Sequence, residues 1–233
     1  GARRVGKSTI AEKFAANEYE TYILVDFAAC STEIRDLFND VSDLNRIFMR
    51  LQLEYGTELK ERKSAIIFDE VQLAPKARQA IKYLVKDGRD DYIETGSLIS
   101  IRKNVKNILI PSEEVKLHMY PMDYEEFKWA LGDTATIKLL QNCFNGRTSL
   151  GDATNRKLMR DFRLYMLVGG MPQAVSAYLE TNNLEKVDSV KRSIITLYED
   201  DFNKIDQSGN ISKMFRQIPA QLTSNANRYL TWR

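Results

Sequence analysis

The chain of 233 residues is long enough for one large domain, or for one domain with an appendage. Hydrophobic residues make up 43% of it and charged residues 28%, a usual globular composition that excludes disordered, collagen-like and low-complexity chains. Its 34 basic and 32 acidic residues give a formal net charge of +2, so there is no overall basic field of the kind that signals nucleic-acid or membrane binding.

Short apolar strands alternate with helices over the first half of the sequence. Residues 7–17 carry an apolar face and no helix breaker, which predicts a helix, and the apolar run 22–27 predicts a buried parallel strand. The later segments continue the alternation, with helices over 31–38, 43–55 and 76–86 and strands over 64–69, 91–95 and 115–120. This pattern predicts an α/β fold in which helices flank a parallel sheet.

After Pro121 every periodic segment is helical. Asp123 and Glu126 form a helix-start box ahead of residues 127–131. The segment GGMP (169–172) is interpreted as a helix stop followed by a helix start. The other helices are expected over 155–168, 173–180, 184–205 and 211–222, with a loop over 145–155. We therefore expect a domain boundary near residue 130.

The first eight residues fit the pattern G-x-x-x-x-G-K-[ST] of a phosphate-binding loop. Its glycines allow a tight loop whose backbone amides, together with the start of the following helix, surround phosphate oxygens. Lys7 would reach the β- and γ-phosphates, and the hydroxyl of Ser8 would ligate Mg²⁺. The predicted nucleotide-binding residues are Gly1, Ala2, Arg3, Arg4, Val5, Gly6, Lys7, Ser8 and Thr9.

Two acids end the apolar strand 64–69 at the edge where a parallel sheet binds its ligands. Asp69 would hold Mg²⁺, usually through water, and Glu70 would act as the general base that polarises the attacking water. Small polar residues end the next strand, where a hydroxyl such as that of Ser97 would contact the γ-phosphate or the water. We predict Glu70 and Lys7 as catalytic residues, Ser8 and Asp69 as metal ligands, and Ser97 as a further nucleotide contact.

Each of these segments alone has an ordinary structural interpretation. The loop could be a glycine-flanked turn before a helix, the acids a solvated strand end, and the small polar residues a strand-terminal turn. Their order and spacing along the chain favour a nucleotidase over those interpretations.

Seven segments are shared with a known family: GARRVGKS (1–8), IIFDEVQ (66–72), TGSLIS (95–100), MYPMDYEEF (119–127), LVGGMPQAV (167–175), LYEDDFNKI (197–205) and IPAQL (218–222). They resemble the prokaryotic AAA+ superfamily of P-loop ATPases that carry a C-terminal domain of unknown function, of the DUF4143 type. The resemblance implies ATP as the nucleotide, an ATPase domain over 1–130, a helical lid over 131–205 and a truncated C-terminal domain over 206–233. It also implies that the strand before the phosphate loop, normally at mid-sheet, is missing from the chain.

One segment departs from the family pattern. Many relatives carry a Gly-Arg or Gly-Lys pair shortly before the strand that leads into the YP motif, where this chain has PSEE (111–114). A role for that basic residue at the nucleotide is therefore in doubt. Arg78, Arg89 and Arg102 are candidates for an arginine finger, although the sequence favours a surface position for each.

Two functional hypotheses compete. The first is an Mg²⁺-dependent ATPase whose ATP hydrolysis moves the helical lid and controls a C-terminal effector. The second is a nucleotide-gated module that holds a protein or DNA partner with little turnover, for which Arg156, Lys157, Arg160 and Arg163 would supply a modest DNA-facing patch. A kinase is a weaker alternative, because Glu70 suits the activation of water better than that of a substrate alcohol.

The remaining composition bears on the surroundings of the protein. Two cysteines and one histidine exclude a disulfide framework and a structural zinc site of the usual Cys/His type, and they favour a reducing, cytoplasmic environment. The longest apolar runs are far shorter than the ~18 residues of a membrane span, so we expect no membrane partner. Oligomerisation stays open.

Overall fold

The computed structural model describes residues 3–96 and 114–223. It divides into two compact units, Gly1–Pro121 and Met122–Arg233. Residues 122–130, which the sequence assigns to the ATPase domain, lie in the second unit. The division into an ATPase domain, a lid and a C-terminal segment stays a prediction.

Within the described residues, the sheet of the first unit has three parallel strands. They are β1 (Thr21–Asp26), β2 (Ser64–Asp69) and β3 (Asp91–Glu94), in the order β1-β2-β3. β2 is central, and all six of its residues are buried, as its continuous apolar run predicts. The register pairs Asp26 with Asp69 and Phe68 with Glu94, so the carboxyl ends of the strands meet at one edge.

Helices cover both faces of this sheet. On one face, α1 (Lys7–Glu18) packs small side chains, Ala11 and Ala15, against Ala65 and Ile67 of β2. The other face carries the larger core, in which the rings of Phe27, Phe38 and Phe68 lie 5.3–5.9 Å apart. This core is closed by three helices: α2 (Thr32–Asp36), which continues into the 3-10 turn Leu37–Asn39, α3 (Leu44–Tyr55) and α4 (Pro75–Asp87). The predicted α/β fold is confirmed.

Residues 115–120 do not form the predicted fourth strand. They have no regular secondary structure, and the side chains of Val115, Leu117 and Tyr120 are 82%, 89% and 74% exposed. Their alternation of apolar and polar residues has the period of a strand, but a strand also needs the backbone of a neighbour. None of the strands in the described part of the chain pairs with this segment. The prediction is wrong because the alternation reflects only the polarity of the side chains. It does not show whether a neighbouring strand is present to pair with.

The described part of the second unit is helical. Its helices are α5 (Tyr124–Ala130), α6 (Thr136–Asn145), α7 (Asp152–Val168), α8 (Pro172–Thr181), α9 (Leu184–Ile205) and α10 (Asn210–Thr223). The sequence predicts all of these except α6. Ile137, Leu140 and Phe144 of that helix do recur at helical spacing, but none of its residues is buried. None of the helices described is both long and apolar enough to cross a membrane.

A buried lysine ties α5 to its surroundings in the second unit. The Lys128 ammonium lies 2.9 Å from Asp133 and 3.0 Å from Asp161, and its side chain is only 5% exposed. Burial alone would lower the pKa of Lys128, but the hydrogen bonds to Asp133 and Asp161 outweigh it, so the pKa is raised. The predicted box at the start of α5 also forms, with the Asp123 and Glu126 side chains each accepting the other's backbone N–H at 2.9 Å.

The GGMP segment does more than separate two helices. As predicted, α7 ends before Gly169 and α8 begins at Pro172. In addition, the Met122 N–H donates to the Gly170 carbonyl at 2.7 Å, and the Tyr165 hydroxyl donates to the Met122 carbonyl at 2.9 Å. A Cβ atom at position 170 would lie 2.0 Å from that carbonyl oxygen. Gly170 is therefore a point of close backbone approach between the start of the second unit and the α7–α8 junction.

Candidate active site

The start of α1 is the first part of the site. Gly6 precedes the helix with a φ of 88°, and the side chain of Val5 in the loop is buried. The first-turn N–H groups of a helix have no partner within it and carry the positive end of the helix dipole. Lys7 and Ser8 occupy this turn and are half-buried, whereas Thr9 is exposed. The arrangement is suited to an anion such as a phosphate.

Asp69 joins this helix start to the end of β2. Its Oδ1 atom accepts a hydrogen bond from the Ser8 hydroxyl at 2.8 Å, a second from the Thr95 hydroxyl, and a third from the Glu70 N–H at 3.1 Å. The Asp69 side chain is largely buried. The structure thus brings the two predicted metal ligands, Ser8 and Asp69, into direct contact.

Thr95 lies in the small polar segment that the sequence singles out, but the sequence interpretation does not predict its hydrogen bond to Asp69. It is buried, and its backbone is fixed on both sides: its N–H donates to Phe68 at 2.9 Å and its carbonyl accepts from Val71 at 3.1 Å. The parallel register that pairs Phe68 with Glu94 sets the next residue beside Asp69, and neither segment encodes this register by itself. Ser97, the predicted hydroxyl, lies outside the described residues, as do Gly1 and Ala2.

Glu70 follows Asp69 with an unusual backbone. Its φ and ψ are 52° and 41°, in the left-handed region that side-chain-bearing residues rarely occupy. Its carboxylate accepts a hydrogen bond from the Gln72 amide, and Gln72 is 4% exposed. Backbone and side chain of Glu70 are thus both held in place at the edge of the sheet.

The charges of Asp69 and Glu70 affect the pKa of Lys7. Burial lowers the pKa of Lys7, Glu70 and Asp69 act in the opposite direction, and Arg3 adds repulsion, so the pKa of Lys7 is lowered overall. The ammonium therefore lies within electrostatic reach of both carboxylates. A cation in the first turn of a helix, with two acids close enough to act on it, can bind phosphate oxygens. Such acids can also ligate a metal and accept a proton from water.

The donor set fits Mg²⁺ bound together with a nucleotide. Mg²⁺ prefers oxygen ligands and is usually held by one or two carboxylates plus substrate phosphates. Ser8 and Asp69 offer a hydroxyl and a carboxylate at a mutual distance of 2.8 Å. Among the residues described, no group of three or more His, Cys, Asp or Glu side chains could hold a metal by itself. The phosphates of a substrate would complete the coordination.

The structure describes two of the three arginines that the sequence places at the surface. Arg78 is 4% exposed and pairs with Glu114 at 3.1 Å and with Glu94 at 3.9 Å, so its predicted surface position is wrong. Its position could not be inferred because its partners come from two distant segments. Arg89 is bound by Asp87 and lies over the Phe48 ring at 4.3 Å from its centre. Arg102 is outside the described residues.

Of the two acids beside Arg78, Glu94 is the more distant, at 3.9 Å against 3.1 Å for Glu114. Its Oε1 atom is buried and has no hydrogen-bond partner among the described residues. Burial raises its pKa from 4.5 to about 7, with Arg78 lowering it and Glu114 raising it further. Because the folded state keeps the proton more tightly than the unfolded state, the free energy of unfolding should fall as pH rises from about 4.5 to about 7. The decrease is on the order of 3 kcal/mol, since one pKa unit corresponds to about 1.4 kcal/mol.

Urea unfolding followed by circular dichroism between pH 4.5 and 8 measures this slope. Glu94→Gln is expected to make the decline less steep and to leave the smaller contribution of Asp90. Asp90→Asn is the control, because burial also raises the pKa of Asp90, to about 6, and removing this group should leave the Glu94 contribution in place. An equally steep decline in Glu94→Gln would contradict the assignment.

Comparison with known families agrees with the geometry of the first unit. A family model described as an AAA domain matches residues 1–128, more than half of the chain. A second model, described as a domain of unknown function (DUF8612), matches residues 159–229, so the match in this region differs from the DUF4143 type that the resemblance implies. Searches of curated proteins and of solved structures gave no significant match. By its sheet, its helix start and this match, the chain belongs to the AAA domain family of nucleotide-binding P-loop ATPases.

Proposed function

We propose that the protein binds ATP with Mg²⁺ and hydrolyses it. The observation that carries the proposal is the cluster at the carboxyl edge of the sheet, where Ser8 bonds Asp69 and the charges of Asp69 and Glu70 act on Lys7. Family membership supports nucleotide binding and, at a general level, ATPase activity. The choice of ATP, the use of Mg²⁺ and the role of each residue belong to the proposal.

Each residue of the cluster has a distinct task. The first-turn N–H groups of α1 and the Lys7 ammonium bind the phosphates. Mg²⁺, when bound, neutralises charge on the β- and γ-phosphates, and Ser8 and Asp69 are the residues that would hold it. Glu70 accepts a proton from water as the water oxygen bonds to the γ-phosphorus and the bond to ADP breaks, giving ADP and phosphate. Thr95 keeps the Asp69 carboxylate in position.

We further propose that hydrolysis moves the helical part of the chain, with residues 131–205 as a lid and residues 206–233 as the start of an effector region. Within the first unit, Glu114 is bound to Arg78, and the chain continues from Glu114 to the second unit. The Arg78 contact therefore connects the end of β3 to the segment that enters the helices. This connection supports coupling between the nucleotide and the lid.

A second candidate function is a nucleotide-gated module that holds DNA with little turnover. The observation in its favour is that Arg156, Lys157, Arg160 and Arg163 of α7 are all exposed. Exposed arginines and lysines on one helix suit the phosphate backbone of nucleic acid. An ATPase assay with and without DNA separates the two functions: steady turnover supports the ATPase, and ATP-dependent DNA binding without turnover supports the module.

Lys7→Ala tests the proposed phosphate contact. We expect the affinity for ATP to fall on the order of 100-fold, because the variant loses a charge-assisted hydrogen bond to phosphate. Titration with a fluorescent ATP analogue measures the dissociation constant. Lys13→Ala is the matched control, since Lys13 lies exposed on the same helix and outside the loop. Equal affinities of the two variants would refute the role of Lys7.

A further inference from the structure

Gln72 is a buried amide in direct contact with the proposed general base. It lies in the 3-10 turn Val71–Leu73, is 4% exposed, and donates a hydrogen bond from Nε2 to Oε2 of Glu70. Glutamine is usually a surface residue, so a buried one next to a carboxylate needs an explanation.

The main chain around Glu70 is already fixed without Gln72. The Glu70 N–H donates to Asp69 at 3.1 Å, the Val71 N–H donates to the Thr95 carbonyl at 3.1 Å, and the Leu73 N–H donates to the Glu70 carbonyl at 2.9 Å. These bonds hold Glu70 in its left-handed conformation. What they leave undetermined is the rotation of the Glu70 side chain, and this is what the Gln72 amide sets.

A neutral amide suits this task. A lysine or arginine would bind the carboxylate as a salt bridge and would compete with its role as a base. The amide occupies Oε2 only, so Oε1 of Glu70 can accept a hydrogen bond from water. A general base must lie within hydrogen-bond reach of the proton that it removes, and a small rotation of the carboxylate is enough to lose that reach.

We propose that Gln72 is a positioning residue that orients the Glu70 carboxylate toward the attacking water. This assignment rests on the proposed ATPase function. The role assigned to Gln72 is exerted through its hydrogen bond to Glu70. It therefore affects the chemical step and not the binding of ATP.

Gln72→Met tests the assignment, because methionine keeps the length and volume of glutamine and removes the donor. We expect kcat for ATP hydrolysis to fall roughly 10-fold or more, with KM for ATP and the affinity for a non-hydrolysable analogue within about twofold of the wild type. Gln52→Met is the matched control: the Gln52 amide accepts the Leu59 N–H at 2.7 Å in another part of the unit, and its loss should leave kcat unchanged.

A double-mutant cycle separates positioning from a structural role. In the Glu70→Gln background, the additional change Gln72→Met should lower the single-turnover rate by less than about twofold, because the group through which Gln72 acts is already gone. A structural role would instead give an additive loss, together with weaker analogue binding. Either of those results would overturn the assignment.

The same measurements distinguish a failure of the Gln72 assignment from a failure of the ATPase proposal. If the wild type hydrolyses ATP and Gln72→Met does so equally fast, only the role of Gln72 fails. If the wild type binds ATP without turnover, the ATPase proposal fails first. If Gln72→Met does not fold, Gln72→Asn replaces it: this variant keeps an amide with a shorter reach, and a wild-type kcat in it would contradict the assignment.

Discussion

Glu70→Gln is expected to give a protein that binds ATP and hydrolyses it at least about 100-fold more slowly than the wild type. General-base catalysis contributes about 10²- to 10⁴-fold to rate, and an amide cannot take the proton from water. Binding is retained because glutamine has the same shape and can still contact Gln72 across the turn. Release of phosphate under saturating ATP measures kcat, and analogue titration measures affinity.

Two other variants serve as comparisons for Glu70→Gln. Glu54→Gln removes an exposed carboxylate from α3 of the same unit and should hydrolyse ATP at the wild-type rate. Lys7→Ala should instead fail at binding, so the two site variants are expected to lose different steps. Normal turnover in Glu70→Gln would show that another group activates the water.

Gly170→Ala is expected to destabilise the second unit by about 3 kcal/mol or more. The added Cβ would lie 2.0 Å from the Met122 carbonyl oxygen and 3.0 Å from the Met122 carbonyl carbon and nitrogen. All three are backbone atoms, so no side-chain rotation relieves the clash, and the hydrogen bonds to Gly170 and from Tyr165 must both shift. Overpacking and broken buried contacts of this kind account for the largest effects of single substitutions.

The matched control is Gly132→Ala, also in the second unit. A Cβ there would meet nothing within 4 Å, but φ is +81°, so the substitution should cost only about 1 kcal/mol of backbone strain. Urea unfolding followed by tryptophan fluorescence reports on this unit, because both tryptophans of the chain, at 129 and 232, belong to it. Equal stability of the two variants would contradict the close approach at Gly170.

The buried elements of the first unit could be predicted because their patterns are local. The runs YILVDF and SAIIFD are continuous and apolar, and they form β1 and β2 within one residue of the expected bounds. The contact of Ser8 with Asp69 also follows from a general rule, since a phosphate loop and the carboxyl end of a parallel strand share one edge of the sheet. The catalytic roles of these residues stay predictions.

Other features depend on contacts that no single segment encodes. Thr95 reaches Asp69 only through the register of β3 against β2, and Arg78 is buried only because Glu94 and Glu114 converge on it. In the sequence, Gln72 has no feature that distinguishes it from other polar turn residues. Its contact with Glu70 is seen only in the folded structure. The opposite failure occurs at 115–120, where a strand-like pattern meets no partner among the described strands.

Three donors converge on a single oxygen of Asp69, those of Ser8, Thr95 and the Glu70 main chain. Each donor comes from a different place in the fold: the first turn of α1, the residue after β3 and the residue after β2. The fold alone therefore fixes this carboxylate, and a shift in any one of the three elements would move the same oxygen.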